Sequence, residues 1–267
     1  MSHNITVEGG KTVRLKTAGK YCDRDIVVTA TGGGGGSGSG DADAIIDRTV
    51  TEISSNAEAV GEYAFRGCLN LKSVNLPFAK RISTYAFSGC PSLADIIANN
   101  VTALDTYVFN GCTKLPEIRF PECITLGASA VRGCTGLIQA HFPMIDNVPA
   151  YAFYGDTNLE IADMGMAASI AGNAFSNCNK LKALVLRYDG VCSLVNITPF
   201  VSCYWLSGTV NATHNPNGDK GYVYVPRAYV FDYPSATNWS SLGFQFRALE
   251  DYTVDSTTTG ELDPDKI

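Results

Sequence analysis

Nine cysteines and three histidines are the residues of this 267-residue chain that could do chemistry most directly. Thiols can pair as disulfides, hold zinc or act as nucleophiles, and each use needs its own spacing. Five of the nine, Cys68, Cys90, Cys112, Cys134 and Cys178, stand at one place in a recurring six-residue phrase. A small buried hydrophobe suits such a place, so a stacked column of reduced thiols is expected. The chain has no CxxC, and its cysteines and histidines do not fall at zinc spacing. His3, His141 and His214 are scattered, without an HxxxH or an acid partner nearby in sequence. No GxSxG, phosphate loop or dinucleotide fingerprint occurs, and the Gly-rich run at 32–40 is too featureless to cradle a phosphate. Carboxylates form no recurring close pair of the kind glycoside hydrolysis needs. Asn4, Asn100, Asn196, Asn211 and Asn238 open Asn-x-Ser/Thr triplets, as an Asn- and Thr-rich chain will by chance. The expectation is a non-enzymatic protein with no catalytic residue, no metal and no cofactor.

What positions these residues is a repeat. The phrase is Tyr63-Ala64-Phe65-Arg66-Gly67-Cys68, and it returns as Tyr85-Ala86-Phe87-Ser88-Gly89-Cys90 and Tyr107-Val108-Phe109-Asn110-Gly111-Cys112. It continues as Ser129-Ala130-Val131-Arg132-Gly133-Cys134, Tyr151-Ala152-Phe153-Tyr154-Gly155-Asp156 and Asn173-Ala174-Phe175-Ser176-Asn177-Cys178. The step is 22 residues each time, the length of one coil of a leucine-rich solenoid. Further columns share the step: Leu71, Leu93, Leu115, Leu137, Leu159 and Leu181; Val74, Ile96, Ile118, Ala140, Ala162 and Leu184; Leu76, Ala98, Phe120, Phe142, Met164 and Leu186. A fourth runs Ile82, Leu104, Leu126, Val148 and Ile170. Apolar residues two apart in a strand point the same way, so successive copies should pair as parallel strands around an apolar column. Pro77, Pro121 and Pro143 close those strands, and Gly67, Gly89, Gly111, Gly133 and Gly155 mark a turn with positive φ.

The predicted architecture is therefore a mainly β repeat solenoid with 22-residue coils, parallel β ladders and caps at both ends. Residues 1–31 read as two or three short strands, too few to be stable alone, and so as an anchor that needs a partner. A Gly/Ser linker follows at 32–40. Residues 41–62 read as the amino-terminal cap, because Glu52 and Ser54, 22 residues before Val74 and Leu76, place polar groups in apolar columns. The solenoid takes 63–206, ending in a degenerate coil with a loop about three residues longer near 188–195. A carboxy-terminal cap takes 207–250, with Phe231, Trp239 and Phe244 in its core, and an extended acidic tail takes 251–267. A net charge of −6 argues against general affinity for nucleic acid, and no apolar run is long enough to span a membrane. Residues 1–8 lack the basic and apolar regions of a signal peptide.

The strand Asn70-Leu71-Lys72-Ser73-Val74-Asn75-Leu76-Pro77 followed by Ile82-Ser83-Thr84-Tyr85-Ala86-Phe87-Ser88-Gly89-Cys90 resembles the BspA-type leucine-rich repeats of bacterial surface and phage-encoded proteins. The resemblance covers about residues 57–206 and implies a binding scaffold. Tyr222-Val223-Tyr224-Val225-Pro226 and Asn238-Trp239 resemble the closing segment of such proteins, and residues 19–29 resemble short β repeats of phage tails. The outward row flanking the inward columns changes from coil to coil, which suits recognition. Asn75, Ile97, Glu117, Arg119, Gln139, His141, Ile161 and Asp163 are its candidate ligand contacts. Two settings are expected from this pattern. One is a host-recognition protein of a phage virion, attached to other virion proteins through residues 1–31, with a homotrimer as one expected assembly. The other is a bacterial surface or secreted adhesin. The partner in either case is a surface protein or glycan.

Overall fold

A computed structural model describes residues 51–251 together with three strands, β1 (His3–Val7), β2 (Lys11–Leu15) and β3 (Ile26–Thr29). The proposed linker, residues 41–50 of the proposed amino-terminal cap and the tail beyond 251 lie outside the described residues. From residue 51 the chain winds into about nine coils, most of which contribute a three-residue strand and a two-residue strand. The pairs are β4 (Glu52–Ser55) and β5 (Ala59–Val60), β6 (Ser73–Asn75) and β7 (Arg81–Ile82), and β8 (Asp95–Ile97) and β9 (Ala103–Leu104). They continue as β10 (Glu117–Arg119) and β11 (Thr125–Leu126), β12 (Gln139–His141) and β13 (Asn147–Val148), and β14 (Ile161–Asp163) and β15 (Ser169–Ile170). β16 (Ala183–Val185) and β17 (Ser193–Leu194) make the last pair, and β18 (Tyr222–Val225) and β19 (Phe246–Ala248) close the stack.

Neighbouring coils pair parallel and in register, Gln139 with Ile161 and Ile161 with Ala183, for example. The columns read from the 22-residue step are the core: Leu71, Leu93, Leu115, Leu137, Leu159 and Leu181 are all fully buried. Phenylalanine rings of the phrase stack on one another, Phe65 on Phe87 at 5.1 Å and Phe153 on Phe175 at 5.2 Å. Val131 interrupts that pile with a smaller group. There Phe120 and Phe142 from the strand columns lean in, reaching Phe109 at 5.8 Å and Phe153 at 5.9 Å, so the volume a missing ring would leave is filled.

The phrase itself is a third hydrogen-bonded ladder. Tyr85 N–H donates to Thr106 O at 3.1 Å, Phe87 N–H to Val108 O at 3.0 Å and Gly89 N–H to Asn110 O at 2.8 Å, and later coils repeat the pattern. Gly89 has φ +72°, as the turn required, but Tyr85 at the head of the phrase is also left-handed at φ 57°. A side chain there costs about 1 to 2 kcal/mol. Its ladder bond and the stacking of Tyr63, Tyr85 and Tyr107, with centroids 5.2 and 4.8 Å apart, offset that cost.

At the amino-terminal end the register differs from the 22-residue extrapolation. Ile53 pairs with Val74, a step of 21 residues, so Ile53 and Ser55 turn inward while Glu52 and Ser54 face out. The polar pair is therefore part of the outward row, not a cap in the apolar columns. β3 pairs antiparallel with β4, which adds β1, β2 and β3 to the edge of the solenoid sheet.

The carboxy-terminal cap ends the stack with side chains in place of a next coil. Trp239 Nε1–H donates to Cys192 O at 2.6 Å, Asn238 Nδ2–H to Leu194 O at 2.8 Å, and Cys192 N–H donates to Tyr233 Oη at 2.9 Å. Trp239 and Phe244 are buried as expected, but Phe231 is 89% exposed. It sits between two short 3-10 turns, Arg227–Tyr229 and Tyr233–Ser235, with its ring turned outward.

Candidate functional site

The phrase cysteines form a chain of buried donors. Four of these thiols donate to the carbonyl of a phenylalanine in the preceding coil: Cys90 to Phe65 at 3.1 Å, Cys112 to Phe87 at 3.2 Å, Cys134 to Phe109 at 3.1 Å and Cys178 to Phe153 at 3.0 Å. All eight described cysteines are buried free thiols. Burial pushes Cys123 and Cys192 up to about 12 and holds Cys178 well above the ordinary thiol range. The thiolate needed for nucleophilic or metal chemistry is thereby disfavoured. Asp156 fills the cysteine place in one coil. It is fully buried, and its Oδ1 accepts the Cys134 N–H at 2.7 Å. Desolvation holds its carboxyl well above the usual carboxylate range. Among the described residues no group of three or more His, Cys, Asp and Glu could hold a metal ion.

The outward face of the parallel sheet divides in two. Its amino-terminal part is open: Asn75 and Asp95 are exposed, Ile97 is 47% exposed, and Glu117, Arg119 and Gln139 are half-buried. Asn75 lies beside Ile97, and Glu117 beside Gln139, so contacts 22 residues apart in sequence are neighbours across the sheet. Arg119 Nε meets Glu117 Oε1 at 2.5 Å, which fixes both side chains within the row.

Expected to face solvent, His141, Ile161 and Asp163 are instead buried. Ile161 joins Ala183, Val185 and Tyr224 in a second apolar cluster on the outer side, with Tyr222 and Leu249 packed against it. Arg247 lies over the Tyr222 ring at 3.8 Å. Asp163 pairs with Arg187 and accepts the Gly165 N–H at 3.2 Å. His141 Nε2 lies 3.2 Å from Gln139 Oε1. Burial, then Arg119 and Arg187, lower its ring to about 4, so near neutral pH it is uncharged and its approach to Glu117 is not an ion pair. The strand alternation points these side chains outward as the sequence indicates. The cluster that holds Ile161 draws Tyr222, Tyr224 and Leu249 from more than 60 positions further along the chain, while Asp163 meets Arg187 of the next coil, and no local pattern announces either.

The family model described as the BspA type leucine rich repeat region matches residues 47–160 and 146–203, with six copies. Among solved structures the chain is similar to a leucine rich repeat protein of T. pallidum, at 22% identity and a TM-score of 0.45 over 52% of this chain and 66% of that one. A leucine-rich repeat protein from Eubacterium ventriosum gives 19% and 0.46 over 58% of this chain and 48% of that one. The pneumococcal vaccine antigen PcpA gives 16% and 0.47 over 74% of this chain and 41% of that one. This chain thus spans less than two thirds of the length of each of the three. No curated protein matches it.

Proposed function

The chain belongs to the BspA-type leucine-rich repeat family, and on that premise we propose that it is a non-catalytic recognition scaffold whose open outward face binds a surface ligand. The observation that carries the reading is the contrast along one sheet. Inward positions repeat the same apolar types, while the open outward positions differ from coil to coil on an unchanging backbone, Asn75, Ile97 and Arg119 in one column and Gln139 in the other. Exposed Ile97 amid polar neighbours supplies an apolar contact with a polar rim, the arrangement of a binding patch. Ser73, Asp95 and Glu117 complete the row. His141, Ile161 and Asp163 lie at the covered end of the same face, where their contacts hold the sheet in place.

The ligand is a protein or glycan on a cell surface, and residues 1–31 attach the scaffold to its carrier. The finer reading puts it on a phage particle as a tail-associated adhesin, and the alternative is a bacterial surface adhesin. Binding of labelled chain to candidate host cells, measured by flow cytometry, tests the recognition face. Ile97→Asp with Arg119→Glu should reduce the signal at least about tenfold, whereas Phe231→Ser on the cap should leave it unchanged. Equal binding by all three proteins would defeat the assignment. Mass spectrometry of purified virions tests the carrier, and absence of the chain from them removes the phage reading.

A further inference from the structure

Each strand of the outer sheet begins with an N–H donated back to the preceding coil. The donors are Ala94 to Lys72 O at 2.8 Å, Ile138 to Pro116 O at 2.7 Å, Glu160 to Ile138 O at 2.8 Å and Lys182 to Glu160 O at 3.0 Å. In the coil of β10 that donor position is Pro116, which has no N–H to give. The sheet parts there: β8 is the edge of one six-stranded sheet and β10 the edge of the next. Bonds leaving the strand ends of other coils, Leu76 to Ile97 O at 2.7 Å and Phe120 to His141 O at 3.0 Å, have no counterpart at Ala98 among the described residues. The consequence shows in the core, because Ile96 is only half-buried where Val74, Ile118 and Ala140 are buried.

The short-strand ladder breaks one step later for the same reason. Asp105 donates to Ile82 O at 2.9 Å, Gly127 to Leu104 O at 2.7 Å and Ala171 to Val148 O at 2.9 Å, but the intervening position is Pro149. β11 and β13 accordingly end separate sheets, although Asp146 N–H at the entry to β13 still donates to Ile124 O at 3.2 Å, so this gap is partial. The two breaks therefore bracket a single coil, residues 116–127. The phrase ladder runs unbroken past both, with Phe109 donating to Ala130 O at 2.7 Å and Ser129 to Ala150 O at 3.1 Å.

We propose that this coil is a joint in the solenoid: the phrase ladder is its pivot, and the two proline gaps let the strand faces on either side open and close. Asn75 and Ile97 ride on one side of the outer gap, and Glu117 and Arg119 on the joint itself. The open face thus adapts its curvature to what it binds. That purpose rests on the recognition reading above, while the joint does not.

Native-state hydrogen exchange of the full chain, followed amide by amide without any ligand, separates the two ideas. The Ala98 and Glu117 amides should exchange at least about tenfold faster than those of Leu76 and Phe142. Pro116→Ala restores a donor opposite Ala94 O and should slow exchange at Ala98 and Glu117, with Pro149→Ala doing the same around Val148. Uniform protection across both gaps in the wild-type chain would overturn the joint, as would proline replacements that fold and leave the exchange pattern unchanged. Should one variant fail to fold, the wild-type pattern and the other variant still decide. Failure of cell binding alone would leave the exchange result standing.

Discussion

Replacing Asp156 by cysteine should stabilise the protein at neutral pH and do nothing for it near pH 4. Asp156 occupies the place that Cys90, Cys112, Cys134 and Cys178 hold in other coils, and it is fully buried. Its Oδ1 accepts one backbone N–H, while its buried Oδ2 has no hydrogen-bond partner. The acid proton therefore belongs on Oδ2, much as the neighbouring thiols keep theirs. Burial raises the folded-state carboxyl above its unfolded value of about 3.9. Below that value both states are protonated and the site costs nothing through ionisation. As pH rises towards the folded value, the unfolded chain ionises freely while the folded one does not, and stability falls by about 1.4 kcal/mol per pH unit. For a domain of this size that is roughly 3 to 6 °C of Tm per unit. Urea melts of Asp156→Cys and wild type at half-unit steps from pH 4 to pH 8 read the difference directly. Subtracting the two curves cancels every other titrating group. Asp156→Asn should follow the same law, since the amide keeps the Oδ1 acceptor and carries no charge. A gain of the same size at every pH would refute the reasoning, because it would be packing and not ionisation.

His141 should show the opposite slope. Its ring is lowered to about 4 from about 6.5, so stability holds above pH 6.5 and is lost as pH falls towards 4. In NMR its ring resonances should not titrate between pH 5.5 and 8, and a midpoint near 6.5 would contradict its burial between Arg119 and Arg187. Trp239→Phe removes the indole donor and strands the buried Cys192 carbonyl, and should cost about 1 to 3 kcal/mol in urea unfolding. Phe231→Ser, on an exposed ring, should stay within about 0.5 kcal/mol of wild type.

Most of the coil was readable because a 22-residue step repeats one environment many times, and a column of like residues averages out local ambiguity. Leu93, Leu115 and Leu137 are buried in line as their spacing required. The step misled only where the spacing itself changed, at Ile53, one residue out of register. The left-handed Tyr63, Tyr85 and Tyr107 were hidden because no propensity favours tyrosine there, and the strain is held by bonds to the next coil. Of the eight candidate contacts, five lie on the open face and three are buried. Alternation says that Ile161 and Asp163 point outward, but Tyr222, Tyr224 and Leu249, which cover that end of the sheet, arrive from far along the chain. The two prolines that split the sheets were in plain view, yet Pro116 and Pro149 mattered only once the backbone register placed each at a donor position.

The closing cap grips its neighbour partly through main-chain groups, the Cys192 and Leu194 carbonyls and the Cys192 amide. Every coil presents such groups at its rim, so the lid is indifferent to how many rungs precede it. Copying one 22-residue unit in frame would lengthen the molecule by a single strand spacing, about 4.8 Å, and leave both ends undisturbed. Length is thus a property that one in-frame duplication changes, and the copied outward side chains are then free to diverge.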